Sequence, residues 1–452
     1  MRTIVSGRSD ILRLWGTHSE QRTPFRRMRY TVCSECDEGL LVHNVITGEL
    51  ILLQGKEMQA MQEDSVLPDE SLAELIAHHF LVPADYDEKK TVDTLRSIIR
   101  RLQSGKDITS FTILPTTSCN ARCFYCYESD FPHVTMSAET ADRVIDYIFN
   151  HCGEEKKASL HWFGGEPMLA GERIEQICSG LQRLGVSYKS RMTSNASLFS
   201  EDVAEHARHH WHLYQIQITL DGTEKTYCQA KSYVGFKGNP YRTVLDNIRF
   251  LLDQKVHVII RMNLGLHNLT VMQDLVREIK TLFGNYGNLT VYVGILFNNT
   301  GFEKVQYSDD DIIALETARE ILEREIADAG IGHGKDIHLP GLKTFHCMAD
   351  NFQTVLISPT GAIGKCEHAV FDRLIGSIES DLFDEEQAKD WRKIHQWAEC
   401  EECCLYPDCV MLENCETLKP CIGIALEYRI SEVKKRMQKK YQVSTGMQTV
   451  EL

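Results

Sequence analysis

Cys119-Asn120-Ala121-Arg122-Cys123-Phe124-Tyr125-Cys126-Tyr127 follows directly on the apolar run Phe111-Thr112-Ile113-Leu114, with three and then two residues between successive cysteines. An apolar run ending in a Cys-bearing loop reads as a strand that delivers the loop to one end of a sheet. Three thiolates ligate three irons of a cubane cluster and leave the fourth iron open to a further ligand. A zinc knuckle draws on the same residue type in tetrahedral geometry, and buried core thiols are the blander alternative. Downstream, Gly164-Gly165-Glu166-Pro167 closes the strand-like run 158–163. Runs 192–195, 216–222 and 258–263 then end on polar side chains: Ser194 and Asn195, Asp221, and Arg261 and Asn263.

These segments, in this order and separated by helical stretches, resemble the motifs of the radical SAM (S-adenosylmethionine) enzyme superfamily. The resemblance implies that Cys119, Cys123 and Cys126 hold a four-iron, four-sulfur (4Fe-4S) cluster. Its open iron would take the amino and carboxylate groups of S-adenosylmethionine and lead to a 5′-deoxyadenosyl radical. By the same resemblance Gly164, Gly165, Glu166 and Pro167 meet the methionyl ammonium. Ser194, Asn195, Asp221, Arg261 and Asn263 supply strand ends that bind ribose and carboxylate, and Tyr125 lies near adenine. Singly these are weak signals, since Asp-Gly is ordinarily a turn. Their order carries the inference.

The 452 residues suffice for a large core and about three domains. No apolar run approaches the ~20 residues of a membrane helix, and the N-terminus lacks a signal-peptide core, so a cytoplasmic protein with no membrane partner is expected. A net charge of −15 argues against nucleic acid as a partner, while a local basic patch remains compatible with an acidic peptide. Sixteen Cys, most of them within 119–126 and 347–421, read in that compartment as metal ligands and not as disulfides.

Residues 1–28 show little periodicity and are expected to form a loosely held, disordered extension, with Met28 a second candidate start. In 29–100, strand-like runs precede two helical segments, as in a small winged α+β module. It is similar to the leader-peptide recognition modules of many peptide-modifying radical enzymes, whose exposed strand edge suits addition of an extended leader; a structural cap is the alternative. Between 105 and 335, short apolar strands alternate with amphipathic helices near 139–150, 172–184, 241–254, 270–283 and 308–329. The expected fold class is therefore α/β, a partial (β/α)6-type barrel with ligands at the C-terminal strand ends.

Cys347, Cys366, Cys400, Cys403, Cys409, Cys415 and Cys421 make up a second constellation in 340–430, before a C-terminal helix and tail at 431–452. It resembles the SPASM domain, in which auxiliary clusters sit beside a radical SAM barrel, although the steps around Cys415 and Cys421 depart from the usual spacing. The resemblance implies three 4Fe-4S clusters in all. One auxiliary cluster is assigned to Cys400, Cys403, Cys409 and Cys421, and the other to Cys347, Cys366 and Cys415. The second set has three thiolates, with Gln353 where some relatives supply another Cys and Cys404 as a candidate substitute. An open auxiliary iron is able to take a substrate thiolate. The expected function is thus installation of a thioether crosslink in a ribosomally made precursor peptide, as in sactipeptide or ranthipeptide synthases. The peptide would be bound through its leader, with a flavodoxin- or ferredoxin-like electron donor. Carbon–carbon or carbon–oxygen crosslinking, epimerisation, sulfatase maturation and a zinc- or leader-binding interaction protein are the rivals. Cys33 and Cys36 lack a second pair for zinc, Cys152, Cys178 and Cys228 lack metal spacing, and His209, His210 and His212 cluster around Trp211 in an exposed-looking stretch after a helix, which argues against a metal role.

Overall fold

The structure is a computed structural model that describes residues 1–16, 24–105, 107–296, 308–332, 337–380, 382–394, 397–400, 402–415 and 424–445. The chain divides into two compact units: Met1–Ser104 with Asp336–Cys347 and Lys393–Leu452, and Gly105–Lys335 with Met348–Arg392.

The first unit begins with β1 (Arg2–Val5), α1 (Ser9–Trp15), β2 (Phe25–Arg27), β3 (Thr31–Cys36), β4 (Gly39–Asn44) and β5 (Leu50–Leu53). It continues through α2 (Gly55–Ala60), α3 (Ala73–Ala77), β6 (Leu81–Pro83) and α4 (Glu88–Gln103). Its main sheet is antiparallel in the order β1-β5-β4-β3. Alternate residues of β4 and β5 enter two different cores, as a strand's two-residue period requires. Leu41, Leu50 and Leu52 pack with Ile11, Val92 and Leu95. Leu40, Val42, Ile51 and Leu53 pack with Phe25, Leu75 and Phe80. Burying each such side chain contributes about 1.5–3 kcal/mol.

The expectation of a loose N-terminal extension is corrected here. β1 pairs with β5, Ile11 of α1 is fully buried, and Trp15 stacks on His79 at 4.0 Å. The apolar residues of this stretch are too few to register as periodic, yet Ile4, Val5, Ile11, Trp15 and Met28 join or pack against a core supplied from elsewhere in the unit.

In the second unit, β7 (Ser110–Ile113), α5 (Ala138–His151), β8 (Lys157–Trp162), α6 (Gly171–Arg183), β9 (Ser187–Ser194) and α7 (Glu201–His209) alternate. They are followed by β10 (Leu213–Leu220), α8 (Glu224–Lys231), α9 (Pro240–Asp253), β11 (His257–Leu264), α10 (Met272–Phe283), β12 (Leu289–Ile295) and α11 (Asp309–Asp328). Ser137, Ser200 and Asn239 cap α5, α7 and α9 through their side-chain oxygens. The strands run parallel in the order β12-β11-β10-β9-β8-β7, which places every strand-end loop of the barrel at one edge.

One strand of this sheet comes from outside the expected barrel segment: β13 (Thr354–Ile357) adds parallel to β7. β14 (Ala362–Gly364), β15 (Gly376–Ser377) and β16 (Leu382–Phe383) then continue it antiparallel, before α12 (Glu385–Asp390). The last helix, α13 (Ile424–Thr445), returns to the first unit, where Val433 and Met437 join its core. The Cys-rich stretch 340–430 is accordingly shared between the two units and is not a unit of its own.

Candidate functional site

The loop after β7 closes on itself before it reaches the cysteines. Thr117 N donates to Val134 O at 2.9 Å, Val134 N donates back to Thr117 Oγ1 at 2.9 Å, and Thr116 bridges Thr135. Cys119, Cys123 and Cys126 are all half-buried. Burial pushes the Cys119 thiol up to about 12 and Cys126 up to about 11, and raises Cys123 as well. Such thiols do not ionise at neutral pH unless a cation compensates the charge, as a bound metal does. Among the described residues no three His, Cys, Asp or Glu side chains converge as a single-ion site requires. A cubane asks for no such convergence, because each thiolate meets a different iron.

Main-chain and amide contacts fix this loop to the end of β9 and the end of α8. Arg122 N donates to Lys231 O at 2.8 Å and Val234 N to Asn120 O at 2.9 Å. Asn120 Nδ2 donates to Ser197 Oγ, and Asn195 Nδ2 to Asn120 Oδ1. Gly164 and Gly165 stand against the loop's entry: a Cβ on Gly164 would lie 2.3 Å from Thr116 O, and one on Gly165 2.4 Å from Ser118 O. Their glycine character is thus used for packing on the cysteine loop itself. Glu166 is fully buried and accepts from Met168 N, Ser194 Oγ and Asn195 N, at 3.1, 2.8 and 2.8 Å. Burial raises its pKa, against those bonds. Both oxygens therefore tie the Gly-Gly-Glu-Pro turn to the end of β9.

Beneath Cys123 lies a buried polar network. Asp221 Oδ1 accepts from Tyr125 OH at 2.7 Å and Asn263 Nδ2 at 3.0 Å, while Lys231 Nζ stands 3.1 Å from Asp221 Oδ2 and 3.0 Å from Tyr125 OH. Asn268 Nδ2 spans Asp221 O and Asn263 O, both at 2.8 Å. Lys231 is 4% exposed; burial opposes its charge, and Asp221 with Tyr125 and Cys123 outweighs burial, holding its pKa well above the usual lysine range. Asn263 Oδ1 and Arg261 Nε are buried without a partner. The predicted residues Cys119, Cys123, Tyr125, Cys126, Gly164 to Pro167, Ser194, Asn195, Asp221 and Asn263 thus lie on the loop or at the strand ends beside it, while Arg261 lies inside β11, two residues before Asn263. Unpartnered donors and acceptors and three uncompensated thiols fit an iron–sulfur cluster with a polar cosubstrate.

Residues 113–279 match the family model described as the radical SAM superfamily. These residues are a radical SAM domain. Such a domain implies a 4Fe-4S cluster and S-adenosylmethionine. The radical SAM cyclopropyl synthase TigE of Paramaledivibacter caminithermalis is 24% identical over 130 residues, covering 24% of this chain and 27% of that protein. The match thus spans about a quarter of the length of this curated relative. Among solved structures, native anSMEcpe with bound AdoMet superposes with a TM-score of 0.54 at 16% identity, covering 75% of this chain and 98% of that one. SuiB of Streptococcus suis bound to precursor peptide SuiA gives 0.52 at 14% identity, covering 85% and 94%. A structure of anSMEcpe with AdoMet and the Cp18Cys peptide gives 0.54 at 14%, covering 75% and 99%. These likenesses establish an α/β radical SAM fold with a largely parallel sheet.

Outside the radical SAM domain the second cysteine set is divided between the two units. Cys366 belongs to the second unit, where the His368 ring meets Tyr127 of the cysteine loop in a tilted contact, centroids 3.9 Å apart. Cys347, Cys400, Cys403, Cys409 and Cys415 belong to the first unit, and Cys421 lies outside the described residues. Arg96 of α4, 2% exposed, donates through Nη2 to Tyr406 O, Pro407 O and Cys409 O at 2.7, 2.9 and 2.7 Å, fixing the 406–409 turn. Cys404 packs with that unit's core and shares a cleft of about 450 Å³ with Cys33, Arg27, Arg29, Glu402 and Lys434. The cleft runs along β3, the edge strand of the sheet.

Sequence reasoning passed over Lys231, Asn120, Asn268 and Arg96. Lys231 sits in the last turn of α8, where a cation is unremarkable as a partner of the helix dipole. Asn120 did carry a signal, since a polar residue inside tight Cys spacing has little reason to be there except to hold the loop.

Proposed function

We propose that this chain is a radical SAM peptide maturase that installs a thioether crosslink, joining a Cys sulfur to a peptide carbon. The observation that carries the radical chemistry is the Cys119, Cys123 and Cys126 loop clamped between Glu166 with Asn195 on one side and Asp221 with Lys231 on the other. Cys119, Cys123 and Cys126 would hold the cluster, which together with S-adenosylmethionine would supply a 5′-deoxyadenosyl radical for hydrogen abstraction from the peptide. Glu166 and Asn120 hold the strand ends in register with the loop, and Tyr125 and Lys231 keep the Asp221 carboxylate oriented.

Three features support a peptide as substrate. The first unit presents the edge of β3 beside a cleft carrying Arg27, Arg29 and Lys434, which suits an added strand of acidic leader. SuiB and anSMEcpe, of like fold, were solved with peptides. The third is the count of cysteines outside the loop. We assign Cys400, Cys403, Cys409 and Cys421 to one auxiliary cluster and Cys347, Cys366 and Cys415 to another, the three-thiolate set leaving a place for a substrate thiolate. A second reading, closure of a carbon–carbon bond within the peptide, is favoured by the similarity to a cyclopropyl synthase.

Anaerobic purification followed by iron and sulfide analysis, and co-expression with short Cys-rich peptides encoded nearby, test the reading. A product that has lost two hydrogens and fragments at a Cys–carbon bridge supports the thioether. Loss of two hydrogens with every Cys still alkylatable supports carbon–carbon closure, and zinc in place of iron ends both.

A further inference from the structure

Along β9, Tyr188, Ser190, Met192 and Ser194 are buried, whereas Lys189 and Arg191 are exposed and Thr193 and Asn195 half-exposed. β9 is a central strand, flanked by β8 and β10, so exposure in its middle marks an open sheet face. The same alternation holds in β8, β10 and β11, whose Leu160, Ile216 and Ile260 are buried while His161, Gln215 and Arg261 are half-exposed. Register sets His161 opposite Arg191 on one side and Gln215 on the other.

This face is cationic in a chain whose net charge is −15. Arg191 and Arg261 have no carboxylate partner among the described residues, and Lys189 lies 5.3 Å over the Tyr214 ring. The one carboxylate on this face of β8 to β11, Asp221, is already paired with Lys231. In mid-sheet the neighbouring backbone carbonyls are used by the ladder, so the Arg191 guanidinium has water or a ligand as its acceptor. A guanidinium recognises a carboxylate through two parallel hydrogen bonds.

We propose that this open face is the binding floor for a carboxylate-bearing segment of the substrate peptide, with Arg191 as its anchor and Lys189 and His161 beside it. The proposal rests on the reading of the substrate as a peptide and names its chemistry: an Asp or Glu side chain. His161 Nε2 lies 3.1 Å from Thr193 Oγ1, and burial with the Arg191 charge holds its imidazole down to about 3, so it stays neutral and does not compete for the anion. Arg191 lies four residues before Asn195 along the strand, about 13 Å below the cysteine loop. The acidic residue is therefore about four extended positions from the residue presented at the strand ends.

Fluorescence anisotropy with anaerobically purified, cluster-loaded full-length protein tests this. The probes are fluorescein-labelled Gly-Ser-Glu-Glu-Gly-Ser-Glu-Glu-Cys-Gly amide and its counterpart with Gln at each Glu. The Glu peptide should bind about tenfold more tightly, Arg191→Gln should remove about that factor, and Arg191→Lys should remove less. S-adenosylmethionine affinity and its reductive cleavage should be unchanged in both variants. Equal binding of the two peptides overturns the proposal, as does full retention of the preference in Arg191→Gln, which would move it to the cleft along β3. A loss of S-adenosylmethionine affinity in Arg191→Gln also overturns it, by assigning the guanidinium to the cosubstrate. Wild-type protein that fails to cleave S-adenosylmethionine refutes the radical reading instead, and the binding comparison still decides the anion site.

Discussion

Cys119, Cys123 and Cys126 share one short loop tied through the Asn120 side chain to the end of β9 and through its main chain to the end of α8, whereas the remaining predicted ligands are spread over both units, with Cys409 held through Arg96. The first set is positioned by its own loop together with strand ends that every parallel sheet offers. The second depends on contacts that only the whole fold supplies. A contiguous set should therefore fail as a block, while a dispersed one should fail ligand by ligand. The largest expected effect follows: replacing Cys119, Cys123 and Cys126 together by Ala abolishes 5′-deoxyadenosine formation, measured by chromatography. Cys404→Ala, set among core residues beside Cys33, should leave both iron content and that cleavage near wild type. Iron lost on Cys404→Ala would make it a ligand and blur the contrast.

The supports of the two sets can be compared through their buried cations. Lys231→Met leaves Asp221 buried without its counter-charge, and breaking such a pair costs about 3–5 kcal/mol. Chemical denaturation should show that loss, and Lys231→Met combined with Asp221→Asn should recover a large part of it. Arg96→Met strands the carbonyls of Tyr406, Pro407 and Cys409 and should cost about 3 kcal/mol. The two variants separate the sets further. Lys231→Met should slow S-adenosylmethionine cleavage, whereas Arg96→Met should lower iron content and leave cleavage by the remaining cluster intact.

The same contrast explains what the sequence made legible. The cysteine loop, the Gly-Gly-Glu-Pro turn and the strand ends at Ser194, Asp221 and Asn263 are local words, each following an apolar run that marks a strand. The expected helices near 139–150 and 241–254 likewise match α5 and α9 to within a residue or two, because their apolar periods are long and their caps strong. β1 and β13 were not legible. Four residues pairing with a strand dozens of positions away carry no period of their own. Nor was Lys231, whose meaning lies in the carboxylate it meets across the site and not in its neighbours in sequence.

The smallest expected effect distinguishes the units by acid. His161 in the second unit is held down to about 3 by burial and by Arg191, against about 6.5 in an unfolded chain. Between those values the unfolded state binds a proton that the folded state refuses, so stability is fully present above about pH 6.5 and drains away as pH falls toward 3. His161→Gln should flatten urea midpoints between pH 5 and 7, by up to about 1.4 kcal/mol per pH unit. The comparison belongs in the triple Cys→Ala background, where acid cannot act through a cluster. In the first unit His43 is buried between Glu49 O and Pro340 O, with its pKa lowered by burial, so the same sign applies there. If the units unfold together, His43→Gln and His161→Gln flatten one common transition. If they unfold apart, each variant moves only the transition of its own unit, and the supports of the two cysteine sets are then energetically separate.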